Sequence, residues 1–294
     1  MYKRESISVY NIFTDVENPR QHLINIFYSA FYFALTFILL NYFGYLVLAL
    51  NAKILDYQPV FSYNGIENLT NTYGWSTKRI AFVYLSSPIV GFLISFFAYY
   101  WYIGTDHHKP HLQQFFFWLS INGFVMFYSY LITGLFAVGN YSSKFFTGFV
   151  SFFSWLNWDD SMIFFALLVS AIGLLFYSLR FGRPVLKSSY SKNLLKKRNG
   201  RKLVFVNVVL LPFGIGCIFL LASIFPMDLI YTLVRLACYP LVFLIIYWRI
   251  TNRRKKVGRI LKGGLSYRSP VVLLLLLAIL IAISRTLLAH RFWL

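Results

Sequence analysis

The one histidine cluster in the sequence is the segment Asp106-His107-His108-Lys109-Pro110-His111. Imidazole groups this close together can bind zinc or copper. However, Pro110 prevents a regular helix from placing His107 and His111 one turn apart, and no cysteine or further histidine lies in a neighbouring loop. The membrane di-iron enzymes need several such clusters. We therefore predict no metal and no cofactor, with a solvated interfacial loop favoured over a metal site at His107, His108 and His111.

Arg235 is the one charge placed well inside an apolar segment. An ionisable side chain within a membrane is costly, so it marks a functional site or an internal pair. The side chain could extend outward to the interface, pair with Asp228, Asp159 or Asp160, or bind an anionic ligand in a polar cavity. The two structural interpretations, extension and pairing, are favoured over ligand binding.

Two asparagines, Asn122 and Asn207, also lie inside apolar segments and are candidates to line such a cavity. Pro212 and Pro240 interrupt the apolar segments that contain Asn207 and Arg235. A proline within a helix removes a backbone hydrogen bond and permits a kink, and broken helices line transporter sites. Proline is nevertheless frequent in membrane helices generally, so ordinary packing is the favoured interpretation.

Known catalytic motifs are missing from the sequence. It contains no His-Glu-x-x-His, no Gly-x-Ser-x-Gly, no P-loop and no Gly-x-Gly-x-x-Gly. Every aspartate and glutamate falls in a predicted loop or terminus, which argues against a proton relay at depth. We predict no catalytic residues and favour a protein without enzymatic activity.

The elements that must position these residues follow from composition. The chain has 294 residues, of which 59% are hydrophobic and only 13% charged, and its mean hydropathy is +0.63. Apolar blocks of about 20 residues can each cross a hydrocarbon core roughly 30 Å thick. We predict an all-α, polytopic membrane bundle in one domain. Its seven spans would be 23–50, 80–103, 113–138, 162–179, 203–225, 229–248 and 270–288.

The distribution of lysine and arginine predicts the orientation. Cytoplasmic loops carry an excess of these residues, and most of the 28 face the cytoplasm if the N-terminus is cytoplasmic and there are seven spans. An even number of spans would place the two most basic segments, 180–202 and 249–268, on opposite sides. The charge pattern therefore supports both the number of spans and a cytoplasmic N-terminus. The abundance of Phe, Tyr, Leu, Ile, Asn and Lys is a compositional hint of a bacterial source, so the predicted location is the bacterial cytoplasmic (inner) membrane.

Two kinds of segment lie between the spans. The aromatic segment 144–158 has apolar residues at helical spacing and is predicted to lie in the outer interface or to form a re-entrant hairpin. The basic segments next to the cytoplasmic leaflet are expected to contact anionic lipid headgroups or an acidic partner; nucleic acid is not expected, because no folded module for it is present. The candidate contact residues are Lys196, Lys197, Arg198, Arg253, Arg254, Lys255 and Lys256.

Three functions fit these features. The first is a non-catalytic subunit or accessory factor of a larger membrane complex, because the loops are small and many aromatic side chains could pack against other helices. The second is a transporter or channel with a polar cavity around Arg235. The third is a lipid-modifying membrane enzyme with its histidines at the cytoplasmic face.

Overall fold

A computed structural model describes most of the membrane bundle. The described residues are 19–62, 65–67, 76–105, 109–137, 159–188, 195, 198–224 and 229–252, with isolated residues between 272 and 282 and the pair Phe292–Trp293.

The described chain is almost entirely helical. Its helices are α1 (Pro19–Ile54), α2 (Thr77–Tyr84), α3 (Ser86–Gly104), α4 (Pro110–Ala137), α5 (Asp160–Lys187), α6 (Arg198–Phe205), α7 (Leu211–Ile224) and α8 (Leu229–Asn252). A π-helical turn, Val206–Leu210, joins α6 to α7. The strands are β1 (Val60–Ser62), β2 (Gly65–Glu67) and β3 (Phe292–Trp293).

Six segments of the described residues are long and apolar enough to cross a membrane. They are Leu23–Ile54, Ala81–Gly104, Pro110–Gly134, Phe164–Lys187, Asn199–Leu220 and Leu233–Asn252. The protein is therefore an integral, multi-pass membrane protein with a helical bundle fold, as the composition predicted.

The number of spans differs from the prediction, since the structure describes six rather than seven. The predicted span 270–288 lies outside the described residues except at a few positions, and the aromatic segment 144–158 lies outside them completely. The predicted span 162–179 is too short, because α5 continues to Lys187. Long basic side chains can remain on a helix near the interface while their charged groups extend toward water.

Helices α2 and α3 form one span with a joint at Leu85. The backbone hydrogen bonds from Leu85 N to Ala81 O and from Ile89 N to Leu85 O are both 3.1 Å long, so helical bonding continues across the joint. Pro88 lacks the N–H that would have bonded to the previous turn. The missing hydrogen bond therefore falls next to the joint, and the span continues through it.

Contacts between helices define two ends of the bundle. At the end where α1 begins, Trp118 Nε1 of α4 donates to Ser29 Oγ of α1 over 2.8 Å, and Tyr102 Oη at the end of α3 donates to the Pro184 carbonyl of α5 over 2.9 Å. We call this the basic end. Its described Lys and Arg positions are Arg20, Lys109, Arg180, Arg183, Lys187, Arg198, Arg201, Lys202 and Arg249.

The opposite end, here called the hairpin end, carries the three short strands. Strand β1 pairs antiparallel with β2 and with β3, in the order β2-β1-β3. Phe61 pairs with Phe292, so the last residues of the chain lie beside the hairpin that follows α1. Because α8 ends at the basic end, Asn252 and Phe292 lie at opposite ends of the bundle.

A tight turn ends α1 at the hairpin end. Asp56 has φ of 65°, and the N–H of Tyr57 bonds to the Ala52 carbonyl over 3.1 Å. This is the pattern in which a residue in the left-handed conformation satisfies the last carbonyls of a helix. Aspartate tolerates that conformation better than most residues other than glycine, so α1 can turn directly into β1.

Small residues bring α3 and α4 into close contact. Ser95 Oγ donates to the Ser120 carbonyl over 2.6 Å, and Ser120 Oγ donates to the Ser95 carbonyl over 2.8 Å. A Cβ on Gly123 would lie 2.6 Å from the Gly91 carbonyl oxygen. Interfaces of this kind are typical of membrane helices. Lipid tails are as apolar as the side chains, so no hydrophobic effect drives the helices together, and close backbone packing stabilises the contact instead.

Candidate functional site

Arg235 lies in α8, six residues from the start of that helix and so about 9 Å along its axis. Its side chain has no exposed surface within the bundle. It shares one face of α8 with buried Tyr239, Val242 and Ile246, whose spacing follows the helical repeat. The guanidinium therefore points into the bundle, and the prediction that it could extend outward is wrong.

Three neutral groups surround the guanidinium. Nη1 donates to Asn41 Oδ1 of α1, and Nη2 donates to the backbone carbonyl of Asn122 in α4 over 3.3 Å. The ring of Phe37 faces the guanidinium carbon, which lies 4.0 Å from the ring centroid. An aromatic face attracts a cation, most strongly where water is excluded. Nε has no hydrogen-bond partner among the described residues.

Asn122 connects the three helices around Arg235. Its Nδ2 donates to the Phe33 carbonyl over 2.9 Å and to Thr36 Oγ1 over 2.7 Å. Tyr239 Oη, one turn after Arg235 on α8, donates to Asn122 Oδ1 over 2.6 Å. Because the side-chain amide both donates and accepts, α1, α4 and α8 share one hydrogen-bonded network. We define the Arg235 network as Arg235, Phe37, Thr36, Asn41, Asn122 and Tyr239.

A wall of aromatic side chains lies next to this network. Phe33 makes edge-to-face contacts with Trp118, Phe213 and Tyr239, at centroid distances of 5.0, 5.4 and 5.5 Å. A Cβ on Gly216 would overlap the Phe33 ring, so this glycine is what allows α7 to approach. The wall is apolar and gives the guanidinium no charge compensation.

No carboxylate contacts Arg235 within the described part of the chain. Asp159, one of the partners predicted for it, instead caps α5 by accepting the Met162 N–H over 2.9 Å. Asp228 lies outside the described residues, and the side chain of Asp160 is not described. The partners of Arg235 among the described residues are all neutral, so none of them compensates its positive charge and the site is electropositive.

Asn207 is not part of the network. It lies in the π-helical turn, is buried, and its Nδ2 has no hydrogen-bond partner among the described residues. The turn directly precedes Pro212, and the Leu211 N–H bonds to the Val206 carbonyl, five residues back. A proline lacks an N–H and collides with the carbonyl four residues earlier, which widens the preceding turn. The structure therefore brings together Arg235 and Asn122 but leaves Asn207 separate.

Asn41, Thr36 and Tyr239 were missed by the sequence analysis. Tyr239 had a usable signal, because it lies four residues after Arg235 and so on the same helical face. Asn41 is a polar residue within the first apolar segment, as Asn122 is within the third, and it could have been selected on that ground. Thr36 carried no such signal, since threonine often bonds to its own helix backbone, as Thr36 Oγ1 does with the Tyr32 carbonyl at 2.7 Å.

Among the predicted metal candidates, only His111 is described. Its Nδ1 lies 3.1 Å from Tyr32 Oη, and its ring packs edge-to-face on Tyr28 with centroids 4.9 Å apart. His107 and His108 lie outside the described residues. Within the described chain, no three His, Cys, Asp or Glu side chains are grouped as a metal site would require.

The predicted lipid or partner contacts of the basic segments are largely outside the described residues. This holds for Lys196, Lys197, Arg253, Arg254, Lys255 and Lys256, whereas Arg198 begins α6 without a described side chain.

Comparison with known proteins gives no match, whether to a family model, to a curated protein or to a solved structure. The function must therefore be inferred from the chemistry of the site. Among the described residues, that chemistry consists of a buried arginine surrounded by neutral hydrogen-bonding groups rather than a nucleophile, an acid–base pair or a metal cage.

Proposed function

We propose that the protein is a membrane transporter or channel for an anion, with the Arg235 network as its binding site. The observation that carries the proposal is the complete enclosure of the Arg235 guanidinium by neutral acceptors, with Nε left without a partner among the described residues. A charged side chain within a membrane helix costs free energy, up to about 3 kcal/mol on insertion scales where it lies at the helix centre. An anion would offset that cost.

In this proposal, the anion binds at Nε and Nη1 of Arg235. Nε carries one unused N–H, and Nη1 is bonded to Asn41, which is the partly exposed member of the network. An anionic oxygen that replaced the Asn41 carbonyl oxygen would accept charge-assisted hydrogen bonds, which are about twice as strong as neutral ones. Asn41 would thus act as a displaceable ligand at the entrance.

The charge of the site favours anions over cations and protons. A buried guanidinium repels cations, and arginine serves this purpose in other selective pores. Proton relays instead use intramembrane acids. The described acidic residues, Asp56, Glu67, Asp159 and Asp160, all lie at or beyond the ends of helices at the hairpin end.

A transport assay in lipid vesicles tests this function. Vesicles containing the purified protein should take up chloride, inorganic phosphate or a small carboxylate such as succinate faster than empty vesicles. Arg235→Met keeps a long side chain but removes the charge, so uptake should fall to background. The proposal fails if none of the three anions enters faster with the unaltered protein than with this variant.

Arg201→Met is the matched control. Arg201 is also a buried arginine, but it lies at the basic end, where Nη1 donates to the Ile250 carbonyl over 3.2 Å at the end of α8. Its loss should weaken the fold while leaving anion uptake per folded molecule unchanged. Equal loss of uptake in both variants would indicate a general effect of removing a buried arginine.

Asn41→Asp gives a second test that does not depend on removing Arg235. The substitution keeps the side-chain size and places a carboxylate against Nη1. The internal ion pair should raise the melting temperature and reduce anion affinity at least tenfold. An anion that binds the folded protein stabilises it by RT ln(1 + c/Kd) at anion concentration c, so melting temperatures measured over a series of anion concentrations give the change in affinity. Unchanged anion protection would contradict the proposed site.

A second function, membership of a larger membrane complex, is supported by α5. In the most apolar 18-residue stretch of α5, only 17% is buried inside the bundle, which is the smallest share among the six candidate spans. Phe164, Phe165 and Phe176 are each about two-thirds exposed. Gentle detergent extraction followed by mass spectrometry should recover stoichiometric partners if this function is correct. Recovery of the chain alone would contradict it and would leave the transport proposal intact.

A further inference from the structure

An open groove lies between the end of α3 and the second turn of α4, at the basic end. It has a volume of about 390 Å³ and is lined by Tyr100, Trp101, Gly104, Thr105 and Phe116. Sites for small ligands typically have volumes of about 300–1,000 Å³. One candidate membrane span ends at Gly104 and the next begins at Pro110. The groove therefore lies where these two spans leave the hydrocarbon core.

Three aromatic side chains form the walls of the groove. Tyr100 and Trp101 are both more than half exposed. The ring of Trp101 lies 5.3 Å from that of Phe116, measured between centroids, with an angle of 49° between the planes. The face of an aromatic ring attracts cations, and tryptophan does so most strongly. The walls therefore suit a group that is apolar on its surface and carries positive charge.

The C-terminal end of α3 forms another side of the groove. The last carbonyls of a helix have no partner in their own helix and carry a partial negative charge. Thr105 satisfies one of them, since its N–H and Oγ1 donate to the Trp101 carbonyl over 2.8 and 2.6 Å. Nothing lies within 4 Å of a Cβ on Gly104, so the last residue of α3 is open to the groove. Among the described residues, no charged side chain lines the groove.

Aromatic walls beside a helix C-terminus favour a quaternary ammonium group. Its methyl groups are apolar, and aromatic cages are a recurring way to bind choline and methylated lysine. A primary ammonium is strongly hydrated, so it would lose more on entering an apolar groove. A free cation is disfavoured because Lys109 directly precedes α4 at the same end. A zwitterionic group, whose net charge is zero, avoids this repulsion.

The outer face of α3 leads from the groove into the membrane. Leu93 and Phe97 are each about half exposed. They precede Tyr100 and Trp101 at intervals of three, four, seven and eight residues, so these side chains share one face of the helix. An apolar face that continues along the span suits an acyl chain. The ligand that fits both the groove and this face is therefore a lipid rather than a soluble ammonium compound.

We propose that the groove binds the trimethylammonium headgroup of a zwitterionic phospholipid of the phosphatidylcholine type. The ammonium group lies against Trp101, Tyr100 and Phe116 beside the end of α3, and the lipid phosphate faces Lys109. The site is separate from the Arg235 network, and it does not depend on the transport proposal.

Lipid retention measured by native mass spectrometry tests the proposal. The full chain would be purified with phosphatidylcholine or phosphatidylglycerol and then delipidated in steps. Trp101→Leu removes an aromatic face but keeps an apolar side chain, so retention of phosphatidylcholine should fall about fivefold, with phosphatidylglycerol unaffected. Trp248→Leu is the matched control, because Trp248 is similarly exposed at the same end but does not line the groove. Equal retention of phosphatidylcholine by Trp101→Leu and the unaltered protein would overturn the proposal.

Gly104→Leu tests the groove without removing any aromatic ring. Gly104 does not adopt a left-handed backbone conformation, and a side chain there meets open space, so the fold should tolerate the change. The leucine would occupy part of the groove and should reduce retention of phosphatidylcholine several-fold. Gly214→Leu adds the same side chain in open space on α7 and should retain the lipid normally. Normal retention by Gly104→Leu would overturn the site.

A lipid in which carbon replaces the headgroup nitrogen separates recognition of the charge from filling of an apolar groove. Phosphatidyl-3,3-dimethylbutanol has the same headgroup shape without the positive charge. The unaltered protein should retain phosphatidylcholine about fivefold better than this lipid, although the basic end attracts the net negative charge of the latter. Equal or better retention of the uncharged headgroup would overturn the assignment of an ammonium site.

Millimolar choline distinguishes a lipid from a soluble ligand. It should not displace phosphatidylcholine, because the lipid is also held by its acyl chains. Displacement by choline would show a site for a soluble cation and would overturn the lipid assignment.

Discussion

Arginine meets different surroundings at the two ends of the bundle. At the basic end, Arg180 and Arg183 are exposed on the surface of the bundle. Toward the hairpin end, Arg235 is enclosed by its own chain and by neutral hydrogen-bond acceptors. Water or lipid phosphate can compensate the charge of the exposed arginines. The charge of Arg235 can be compensated only by a group that enters the Arg235 network.

This difference indicates that the role of an arginine depends on whether it lies on the surface or inside the bundle. Surface cations of a membrane protein orient it and attract anionic lipid, gaining about 1 kcal/mol each. A buried cation gains little from neutral partners and costs much to enclose. In the proposed transport function, the enclosed Arg235 is the arginine that favours an anion inside the bundle.

The largest expected effect concerns the assignment of the ends themselves. Because β3 pairs with β1, the C-terminus should lie on the side of the membrane opposite to the start of α1. An alkaline phosphatase fused after Leu294 should be active outside the cytoplasm, and a fluorescent protein fused before Met1 should fluoresce inside. Reporters that place both termini on the same side would contradict the pairing of β3 with β1.

Asn122→Leu should produce the largest loss of stability. The change removes donors to the Phe33 carbonyl and Thr36 Oγ1 and leaves Tyr239 Oη without its acceptor. Hydrogen bonds between membrane helices contribute about 0.6 kcal/mol on average and up to about 1.7. With one buried hydroxyl left unsatisfied, we expect a loss of about 2–3 kcal/mol in the free energy of unfolding, measured in mixed detergent micelles.

Asn207→Leu is the matched control for that variant. Asn207 is buried on another helix, but its Nδ2 has no partner among the described residues. Replacing it should change stability by less than about 1 kcal/mol, because no made hydrogen bond to Nδ2 is lost. Equal destabilisation by the two variants would mean that the hydrogen bonds of Asn122 add nothing to the free energy of unfolding beyond the effect of burying an asparagine.

Gly123→Ala should have the next largest effect. The added methyl group would lie 2.6 Å from the Gly91 carbonyl oxygen, which is backbone and cannot rotate away. Overpacking costs about 1–3 kcal/mol, and α4 would also move Asn122 away from its partners. Gly214→Ala adds the same group in open space and should be neutral or stabilise by up to about 1 kcal/mol. Melting temperatures in detergent compare the pair; similar shifts would refute the close packing of α3 and α4.

Sequence patterns were sufficient for the membrane fold because apolar length is a direct physical requirement for crossing a bilayer. The first, second, third, fifth and sixth predicted spans each coincide with described helices to within a few residues. The extension of α5 through Arg180 and Arg183 was missed, because a hydropathy pattern ends where charges begin, although the helix does not. The short strands were missed because loops this brief carry little periodicity.

The site was predicted in part. Arg235 and Asn122 stood out because polar residues are rare inside apolar spans, and the structure joins them. Which helices are neighbours is not encoded in the periodicity of any one helix, so Asn41 could not be assigned to Arg235 from the sequence. Asn207 has the same polarity as Asn122 but faces another part of the bundle. Helix packing, rather than residue type, decided its role.

The smallest expected effect tests the basic end alone. Arg183→Gln should reduce the stabilisation by phosphatidylglycerol by about 1 kcal/mol at 0.1 M salt. Raising the salt to 1 M shortens the screening length from about 10 Å to about 3 Å, so the difference between this variant and the unaltered protein should nearly vanish.

The same salt series should leave the effect of Asn122→Leu unchanged, because the Arg235 network is enclosed and is screened far less. Thermal unfolding of both variants in vesicles or mixed micelles at the two salt concentrations measures this contrast. If salt removed both effects equally, Arg235 would have to be reached by water and ions in the resting protein. Its enclosure would then be wrong, and the distinction between the two ends would be one of degree.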